Sequence, residues 1–378
     1  MKTKKIVFLR LRKVPCTDIL LRHIFLPWSS IDRWLKMRQY FLLVLFVFIL
    51  AGCKQHSGFV VSTPDVTPIC TLQENLGLLG RVTSFDRCDD SSFVLISSGN
   101  SNIYTYSMAG AQKQCLNKSG RALYEYVTPK LVRADGEGNL YLWCSDSQQF
   151  ISYDAAGTPR LAFKYPSAVY DFLPLSDQVL AVYTAGRRHG NVIDLLDGNN
   201  GTVLDTLVQS SEAHYMLTSA LGRGAMSLSD KGRFVFMPKD ALTVYEVPAD
   251  RGRPEKSAVF QSPTFSCEPM ETSFNGDIQK LLKFLNTTPS TLLVMKKGRT
   301  IWVLTQEGAV KENNGAGGKY YSLYKLHSGK LSSTWHYMWK DLTTPELFAV
   351  YRGGIYFIRM KPGSDGASWE LCRWDLPS

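Results

Sequence analysis

No apolar run near the start of this sequence is long enough to cross a membrane as a helix. Residues 40–51, YFLLVLFVFILA, are twelve residues without a charge, whereas a spanning helix needs about 20 apolar residues. A run of this length with Arg38 before it is typical of the core of a signal peptide, which is about 7–15 residues long. The run therefore indicates an export signal.

A basic surface is also missing once the first residues are set aside. The chain has a net charge of +10, but residues 1–52 hold ten of its 43 Lys and Arg and two of its 33 Asp and Glu. The rest of the chain therefore carries 33 basic against 31 acidic residues. A body this close to neutral lacks the basic patch that nucleic-acid binding requires, so no nucleic-acid partner is expected.

Closely spaced cysteines and the common catalytic motifs are absent too. No two of the cysteines after position 53 are closer than 18 residues, which excludes a C-x-x-C zinc or redox pattern. They are Cys70, Cys88, Cys115, Cys144, Cys267 and Cys372. The body holds no G-x-S-x-G, H-E-x-x-H, P-loop or dinucleotide motif. The six thiols either form disulfides in an oxidising compartment or pack as small buried side chains, and the sequence leaves both readings open.

The apolar run ends in a short motif with a chemical meaning. Leu50-Ala51-Gly52-Cys53 resembles the lipobox of bacterial lipoproteins, in which small residues let the backbone enter the peptidase site and the thiol takes a diacylglycerol. The motif predicts cleavage between Gly52 and Cys53 and a lipid on Cys53 that anchors the mature chain to a membrane. The alternative is an uncleaved anchor with a chance match. Met37 is a second candidate start, because the 36 residues before it are unusual in a signal peptide.

These features divide the chain into three parts. Residues 1–52 form the leader, residues 53–68 a polar, lipidated tether with two prolines, and residues 69–378 the folded domain. Lys54 follows the lipidated cysteine, where an aspartate would favour retention in the inner membrane of enteric bacteria. The predicted location is therefore the cell envelope, with the outer membrane favoured and its periplasmic or surface side left open.

The body consists of six similar segments, each with two apolar strands joined by a turn. The segments are 92–110, 138–157, 176–198, 231–250, 289–308 and 345–363. Their first strands begin 39 to 58 residues apart, near Phe93, Leu140, Val179, Phe234, Leu292 and Leu347. This spacing is typical of propeller blades of about 40–50 residues with insertions, whose sheets stack around an axis and bury both faces. The sequence thus predicts an all-β, six-bladed β-propeller of four-stranded antiparallel blades.

Two further structural expectations accompany this fold. Residues 69–80 are expected to close the ring by pairing with residues 368–374, which would make Cys70 and Cys372 candidate disulfide partners. Residues 276–286, GDIQKLLKFLN, place apolar side chains at helical spacing. They predict one helix in the insertion between the fourth and fifth segments.

One segment also carries a family likeness. Residues 132–142, VRADGEGNLYL, followed by residues 151–154, ISYD, and Gly157 resemble the blade motif of NHL-type propellers. Together with the lipobox, the chain resembles the TolB-like six-bladed propeller lipoproteins of Gram-negative bacteria over about residues 70–378. The resemblance implies a fold more than a function, since most members have no established activity. Seven blades, or six with a subdomain near residues 251–290, are the alternatives.

Three residues are candidates for a site in the central channel. Some NHL-like relatives are calcium-dependent lactonases or metal-dependent lyases, whose ligands line that channel. By this likeness Asp86, Asp171 and His214, each shortly before a first strand, are the nearest matches. Aspartates also satisfy turn amides, and His214 can be an ordinary buried histidine. No catalytic residue, metal ligand or cofactor is therefore predicted.

Aromatic residues near the end of the chain alternate along one predicted strand face. They are Trp335, Tyr337 and Trp339. Exposed, these rings would form a stacking platform for a sugar or a peptide. Buried, they would be core between adjacent blades, and the sequence favours this second reading.

The function predicted from these features is a binding or scaffold module. Propeller faces are made of loops, and function concentrates on loops that a rigid scaffold holds. The basic loop of Arg187, Arg188 and His189 is the candidate contact for an anionic ligand, unless it is merely solvated. The expected partners are the membrane, through the lipid, and a protein, peptide or glycan. The alternative is a channel-centred, metal-dependent hydrolase or lyase.

Overall fold

The computed structural model of the chain is built mainly of short β-strands. It describes residues 61–73, 80–176, 178–186, 190–229, 233–248, 253–265, 277–307, 319–339, 347–363 and 366–377. The leader, the lipobox with Cys53, residues 187–189 and Cys267 lie outside these described residues. The predictions that fall on them stay predictions.

The strands of the described residues form six antiparallel sheets. In chain order the strands are β1 (Val61–Ser62), β2 (Val66–Thr71), β3 (Val82–Arg87), β4 (Ser92–Ser97), β5 (Ile103–Ser107), β6 (Gln112–Leu116), β7 (Pro129–Ala134), β8 (Leu140–Cys144), β9 (Gln149–Tyr153), β10 (Pro159–Lys164), β11 (Asp171–Ser176), β12 (Val179–Tyr183), β13 (Asn191–Asp197), β14 (Val203–Gln209), β15 (Ala225–Leu228), β16 (Phe234–Met237), β17 (Thr243–Val247), β18 (Glu255–Val259), β19 (Ser290–Lys297), β20 (Thr300–Gln306), β21 (Lys319–His327), β22 (Lys330–Trp339), β23 (Phe348–Tyr351), β24 (Gly354–Gly363) and β25 (Gly366–Trp374).

Each sheet is one blade of a propeller. Blades 1 to 5 consist of β3–β6, β7–β10, β11–β14, β15–β18 and β19–β22, with β1 as a fifth strand at the edge of blade 5. Blade 6 consists of β23–β25 and β2. The predicted six-bladed propeller of four-stranded antiparallel blades is therefore confirmed. The range 251–290, where an added subdomain was the alternative, holds the last strand of blade 4 and one helix.

The first strand of each blade lies at the inner side of the ring. β3, β7, β11, β15 and β19 contact one another in turn, and β23 contacts β3. β15 also contacts β23 across the ring. The central channel is therefore narrow between blades 4 and 6.

The six repeated segments correspond one to one with the six blades, but at two different positions within the blade. In blades 1 to 4 the segments contain the second and third strands, whereas in blades 5 and 6 they contain the first and second. The repeated segments do not include the first strands of blades 1 to 4, because these strands carry polar groups that are buried in the ring. In β3, for example, Ser84, Asp86 and Arg87 interrupt the apolar sequence.

Alternate residues of a blade strand bury into two different core clusters. In β4, Phe93 and Leu95 belong to the cluster between blades 1 and 6, and Val94 and Ile96 to the cluster between blades 1 and 2. All four side chains are at most 1% exposed. A strand that is apolar on both faces needs a neighbour on each side, and the ring supplies both.

The N-terminal strand closes the ring as the outermost strand of blade 6. β2 pairs antiparallel with β25, with Val66 opposite Trp374 and Thr71 opposite Glu370. Pairing with residues 368–374 agrees with the expectation, although the strand begins at Val66, before the boundary drawn at residue 69. The unit Ser62–Ser378 is compact, and the six described core clusters lie within it.

The predicted disulfide between Cys70 and Cys372 is wrong, because both thiols are free. Cys70 lies opposite Leu371 and packs towards the cluster between blades 6 and 1. Cys372 belongs to the cluster between blades 5 and 6. Successive residues of a strand point to opposite faces, so the sheet itself separates the two sulfur atoms.

Among the described residues, two helices lie in the connections between blades. The predicted helix near 276–286 is present as Ile278–Thr287, capped by Asp277. The other, Glu212–Leu221, was not predicted; it is capped by Ser211, whose side chain accepts a hydrogen bond from the amide of His214. They are named α1 (Glu212–Leu221) and α2 (Ile278–Thr287), and they contact each other. Neither has the length and hydropathy that crossing a bilayer requires, and no other helix of the described residues does.

Candidate functional site

The ring axis holds a buried ion pair between two blades. Arg133 of β7 and Asp171 of β11 pair through Nη2 and Oδ1, and the two residues are 4% and 1% exposed. Arg223, directly before β15, places its Nε 3.6 Å from the other carboxylate oxygen of Asp171. Three successive blades therefore contribute one charge each to the same cluster.

The guanidinium of Arg133 is also held by backbone carbonyls. Its Nη1 donates to the carbonyl oxygen of Val132 at 2.9 Å and to that of Phe85 in blade 1 at 3.3 Å. A buried charge is stable when it is paired and hydrogen-bonded. Arg133 meets both conditions and links blades 1, 2 and 3.

Asp86 of blade 1 adds a second carboxylate to this cluster. Its Oδ2 accepts a hydrogen bond from the amide of Ala134 at 3.0 Å. Burial raises the pKa of Asp86, and the charge of Arg133 opposes that shift in part. Two residues earlier on the same strand, Ser84 accepts a hydrogen bond from the amide of Val132 at 3.0 Å. Side chains of β3 thus bond to the backbone of β7 in register.

The remaining space at the axis is small. It is lined by Asp86, Arg133 and Arg223 on the polar side, and by apolar groups that include Leu173, Met226, Leu292, Leu293, Ala349 and Val350. The free volume is about that of one or two water molecules. The described side chains therefore fill much of the channel at this point and link the blades around it.

The structure brings together two of the three candidate channel residues. Asp86 and Asp171 lie at the axis on inner strands, and neither sits in a turn. Their partners Arg133 and Arg223 were not predicted from the sequence. A signal was present, because an arginine inside the apolar strand PKLVRA needs a buried counter-charge.

His214 lies away from the axis, on α1, where it is fully buried. Its Nδ1 accepts the amide hydrogen of Lys239 at 3.0 Å, so the ring proton is on Nε2, which donates to the carbonyl oxygen of Thr184 at 3.1 Å. Burial lowers the pKa of His214. Both ring nitrogens bind the protein, so this histidine is structural and joins blades 3 and 4.

The aromatic residues of β22 are mostly core. Tyr337 is 5% exposed and meets Trp374 of blade 6 edge-on, with 5.4 Å between ring centroids. Trp335 is half-buried and stacks on Trp302 at 5.7 Å. The side chain of Trp339 lies outside the described residues. The core position is confirmed for Tyr337, whereas Trp335 lies half-buried at the edge of the same cluster.

Other candidate features show no convergent ligand set. In the part of the chain that the structure describes, no group of three or more His, Cys, Asp and Glu residues could hold a metal ion. The basic loop of Arg187, Arg188 and His189 and the lipidation site at Cys53 lie outside that part. The charged channel cluster joins side chains of successive blades and is the candidate site of the described fold.

Comparisons with known proteins place the fold but not the function. No protein-family model and no curated protein sequence matches the chain. A proposed exported protein from Bacteroides fragilis aligns with a TM-score of 0.58 at 13% identity, over 82% of this chain and 95% of that one. A member of the DUF4221 family from Bacteroides vulgatus aligns with a TM-score of 0.61 at 9% identity, over 82% and 98%. A streptogramin B lyase aligns with a TM-score of 0.42 at 11% identity, over 83% and 88%. At these identities the first two structures show that the chain shares their fold.

Proposed function

We propose that this protein is an exported lipoprotein, acylated on Cys53, whose propeller is a binding or scaffold module in the cell envelope. The partner is a protein, a peptide or a glycan. The support for export is the apolar run that ends in Leu50-Ala51-Gly52-Cys53, a signal-peptide core followed by a lipobox. Residues between Cys53 and the first propeller strand act as the tether. The outer membrane is the proposed location.

The observation that carries the binding role is the filled channel. The Arg133–Asp171 pair and the contact between β15 and β23 occupy the axis, so a ligand is engaged on the loops at the rim rather than inside the ring. Loops on a rigid scaffold are the usual place for recognition. The loop with Arg187, Arg188 and His189 is the proposed contact for an anionic group.

Metabolic labelling with a fatty acid in a Gram-negative host tests the anchor. The wild-type chain is expected to take up label and to sediment with the membranes, and Cys53→Ala is expected to do neither. A labelled Cys53→Ala chain, or an unlabelled wild type, would contradict acylation at this position.

Crosslinking in intact envelopes tests the binding role. A reproducible crosslinked partner is expected for the wild type, and the triple variant Arg187→Gln, Arg188→Gln, His189→Gln is expected to lose it. The matched control removes exposed basic charge elsewhere, with Arg121→Gln and Lys256→Gln, and should keep the partner. Equal capture by all three proteins would remove the loop from the proposal.

A channel-centred metalloenzyme is the second candidate, and the axial carboxylates Asp86 and Asp171 are the observation in its favour. Metal analysis of the purified propeller decides between the two. A stoichiometric calcium or zinc ion that is lost in Asp86→Asn would favour the enzyme. A metal-free protein that still captures its partner would favour the binding module.

A further inference from the structure

Helix α2 leaves apolar side chains in solvent. Ile278 is 66% exposed and Leu282 is 47% exposed, and the two lie one turn apart on the same side of the helix. None of the α2 side chains that the structure describes is fully buried. By contrast, α1 of equal length buries His214, Leu217 and Thr218. Part of the apolar face of α2 is therefore open to solvent.

The apolar side chains of α2 form one arc around the helix, with a half-buried part and an exposed part. Leu281, Phe284 and Leu285 are half-buried against the protein. Ile278 and Leu282 continue the same apolar arc towards solvent, because steps of 100° place Ile278 beside Leu285 and Leu282 beyond Ile278. One part of the arc is half-buried, and the adjoining part has no cover among the described residues.

The polar side of α2 carries charge of one sign. Lys280 and Lys283 are both exposed. No acidic residue occurs within Ile278–Thr287, and the nearest carboxylate, Asp277, is occupied as the N-cap, where it accepts hydrogen bonds from the amides of Gln279 and Lys280. Helices that lie in a membrane interface typically place lysines beside their apolar residues. The long lysine side chains extend past the apolar residues to reach the headgroups.

We infer that α2 is a membrane-contact helix, whose exposed Ile278 and Leu282 insert at the surface of an anionic phospholipid bilayer while Lys280 and Lys283 meet the headgroup phosphates. This inference rests on the proposed function, since the lipid on Cys53 is what brings the propeller to a bilayer. An anchor on a tether fixes the distance to the membrane but not the orientation. A second contact through α2 holds one side of the ring against the surface and presents the opposite rim to a partner.

Vesicle flotation of the propeller Ser62–Ser378 tests the inference without the anchor. This unit is compact and contains both strands that close the ring and the described core clusters. It is expected to float with vesicles that contain phosphatidylglycerol and to remain unbound with vesicles of phosphatidylcholine alone. High salt should weaken the binding, because the lysine contribution is screened.

Paired variants separate the apolar and basic contributions. Ile278→Gln with Leu282→Gln is expected to weaken binding to the anionic vesicles by about tenfold or more. Lys280→Gln with Lys283→Gln is expected to weaken it by about fivefold for each charge. The apolar control is Val259→Gln, which replaces a valine that is 61% exposed on β18. The charge control is Lys256→Gln with Lys330→Gln, two other exposed lysines; neither control should change binding.

Each result bears on one proposal at a time. No flotation with either vesicle, or equal binding by all variants at unchanged melting temperature, overturns the membrane contact. Acylation of Cys53 is measured separately on the full chain by mass spectrometry. A propeller that binds vesicles although Cys53 carries no lipid leaves the contact standing and removes the anchor. An acylated chain whose propeller does not bind vesicles leaves the anchor standing and removes the membrane contact.

Discussion

Arg133 and Asp171 form a buried ion pair across the boundary between blade 2 and blade 3. Removing one partner of such a pair strands the other charge in the core, at a cost of about 3–5 kcal/mol. Asp171→Ala is therefore expected to lower the free energy of unfolding in urea by about 3 kcal/mol. Replacing both residues, with Arg133→Met and Asp171→Leu, should recover much of that loss.

The control for this pair is an exposed one. Arg352 and Asp90 also form an ion pair, but their side chains are 70% and 67% exposed. Arg352→Ala is expected to change stability by less than about 1 kcal/mol, since solvent screens surface pairs. Equal losses from Asp171→Ala and Arg352→Ala would contradict the role assigned to the axial pair.

Asp86 gives the propeller a pH dependence of definite sign. Burial raises the pKa of Asp86 in the folded state, so between the unfolded pKa and the raised folded pKa the folded chain holds more protons than the unfolded one. Its contribution to stability is complete below the unfolded pKa and declines as the pH rises through the folded pKa. Asp86→Asn, whose amide oxygen still accepts from Ala134, is expected to be more stable than the wild type at pH 7.

The measurement is urea unfolding at a series of pH values. The advantage of Asp86→Asn should shrink as the pH falls from the raised folded pKa to the unfolded pKa, and it should change little below that. The exposed carboxylate Asp205 serves as the control, and Asp205→Asn should show no such pattern. A lower stability of Asp86→Asn at pH 7 would mean that the charge of Asp86 is needed by the arginines around it.

His214 is expected to make the protein sensitive to mild acid. Burial lowers its pKa in the folded state, so the unfolded chain takes up the proton first as the pH falls. Stability is therefore lost from the unfolded pKa downwards to the lowered folded pKa. His214→Gln should flatten stability between about pH 7 and 5, a range that includes the unperturbed histidine pKa near 6.5.

Replacing His214 with alanine also removes two hydrogen bonds, which sets the cost of that variant at pH 7. His214→Ala leaves the amide of Lys239 and the carbonyl of Thr184 unpaired and should cost about 1–3 kcal/mol for each group. The exposed His327, in the hairpin between β21 and β22, is the control. If His327→Gln flattened the dependence of stability on pH equally, that dependence could not be assigned to His214.

The free thiols are expected to react in two classes. Burial raises the pKa of Cys88, Cys144 and Cys372 to about 12, whereas Cys115 is exposed on β6. Because the thiolate is the reactive form, a maleimide at pH 7 should label Cys115 in the native protein and the other three only after unfolding. Peptide mass spectrometry reads each site, and native labelling of Cys372 would contradict its position in the core.

Ring closure by β2 is expected to dominate stability. Deleting residues 62–71 removes the outermost strand of blade 6 and exposes the edge of β25, an edge that invites aggregation. The truncated chain should unfold at a much lower urea concentration and lose solubility, whereas deletion of residues 1–60 should leave the unfolding midpoint unchanged. Equal midpoints for the two truncations would show that the ring does not depend on β2.

The sequence pattern was sufficient to predict the propeller, because most blade strands are apolar on both faces. The stretches SFVLIS of β4 and LYLWC of β8 are short apolar runs bounded by turn residues, a pattern typical of buried strands. The inner strands were harder, since β3 and β7 mix buried charge with apolar residues. Helix α1 was missed for a related reason, because two of its three buried side chains, His214 and Thr218, are polar and break the apolar period.

The axial cluster shows where sequence reasoning ends. Asp86 and Asp171 were candidates for the channel through a family likeness alone. Arg133 stood within the motif that carried this likeness, yet its partner lies 38 residues further on in another blade. Pairing of that kind depends on how the sheets are arranged around the axis, which no local spacing encodes.

The strand that completes the last blade has a consequence for biogenesis. Thr67 and Asp375, which lie side by side in the finished ring, are 308 residues apart in the chain. Contacts of such sequence separation form slowly, because the loop between them must close first. A nascent chain that ends before β25 has no partner for β2 and cannot complete the circle. The polypeptide thus stays open until its last strand is made, which would suit the proposed export of the chain before it folds.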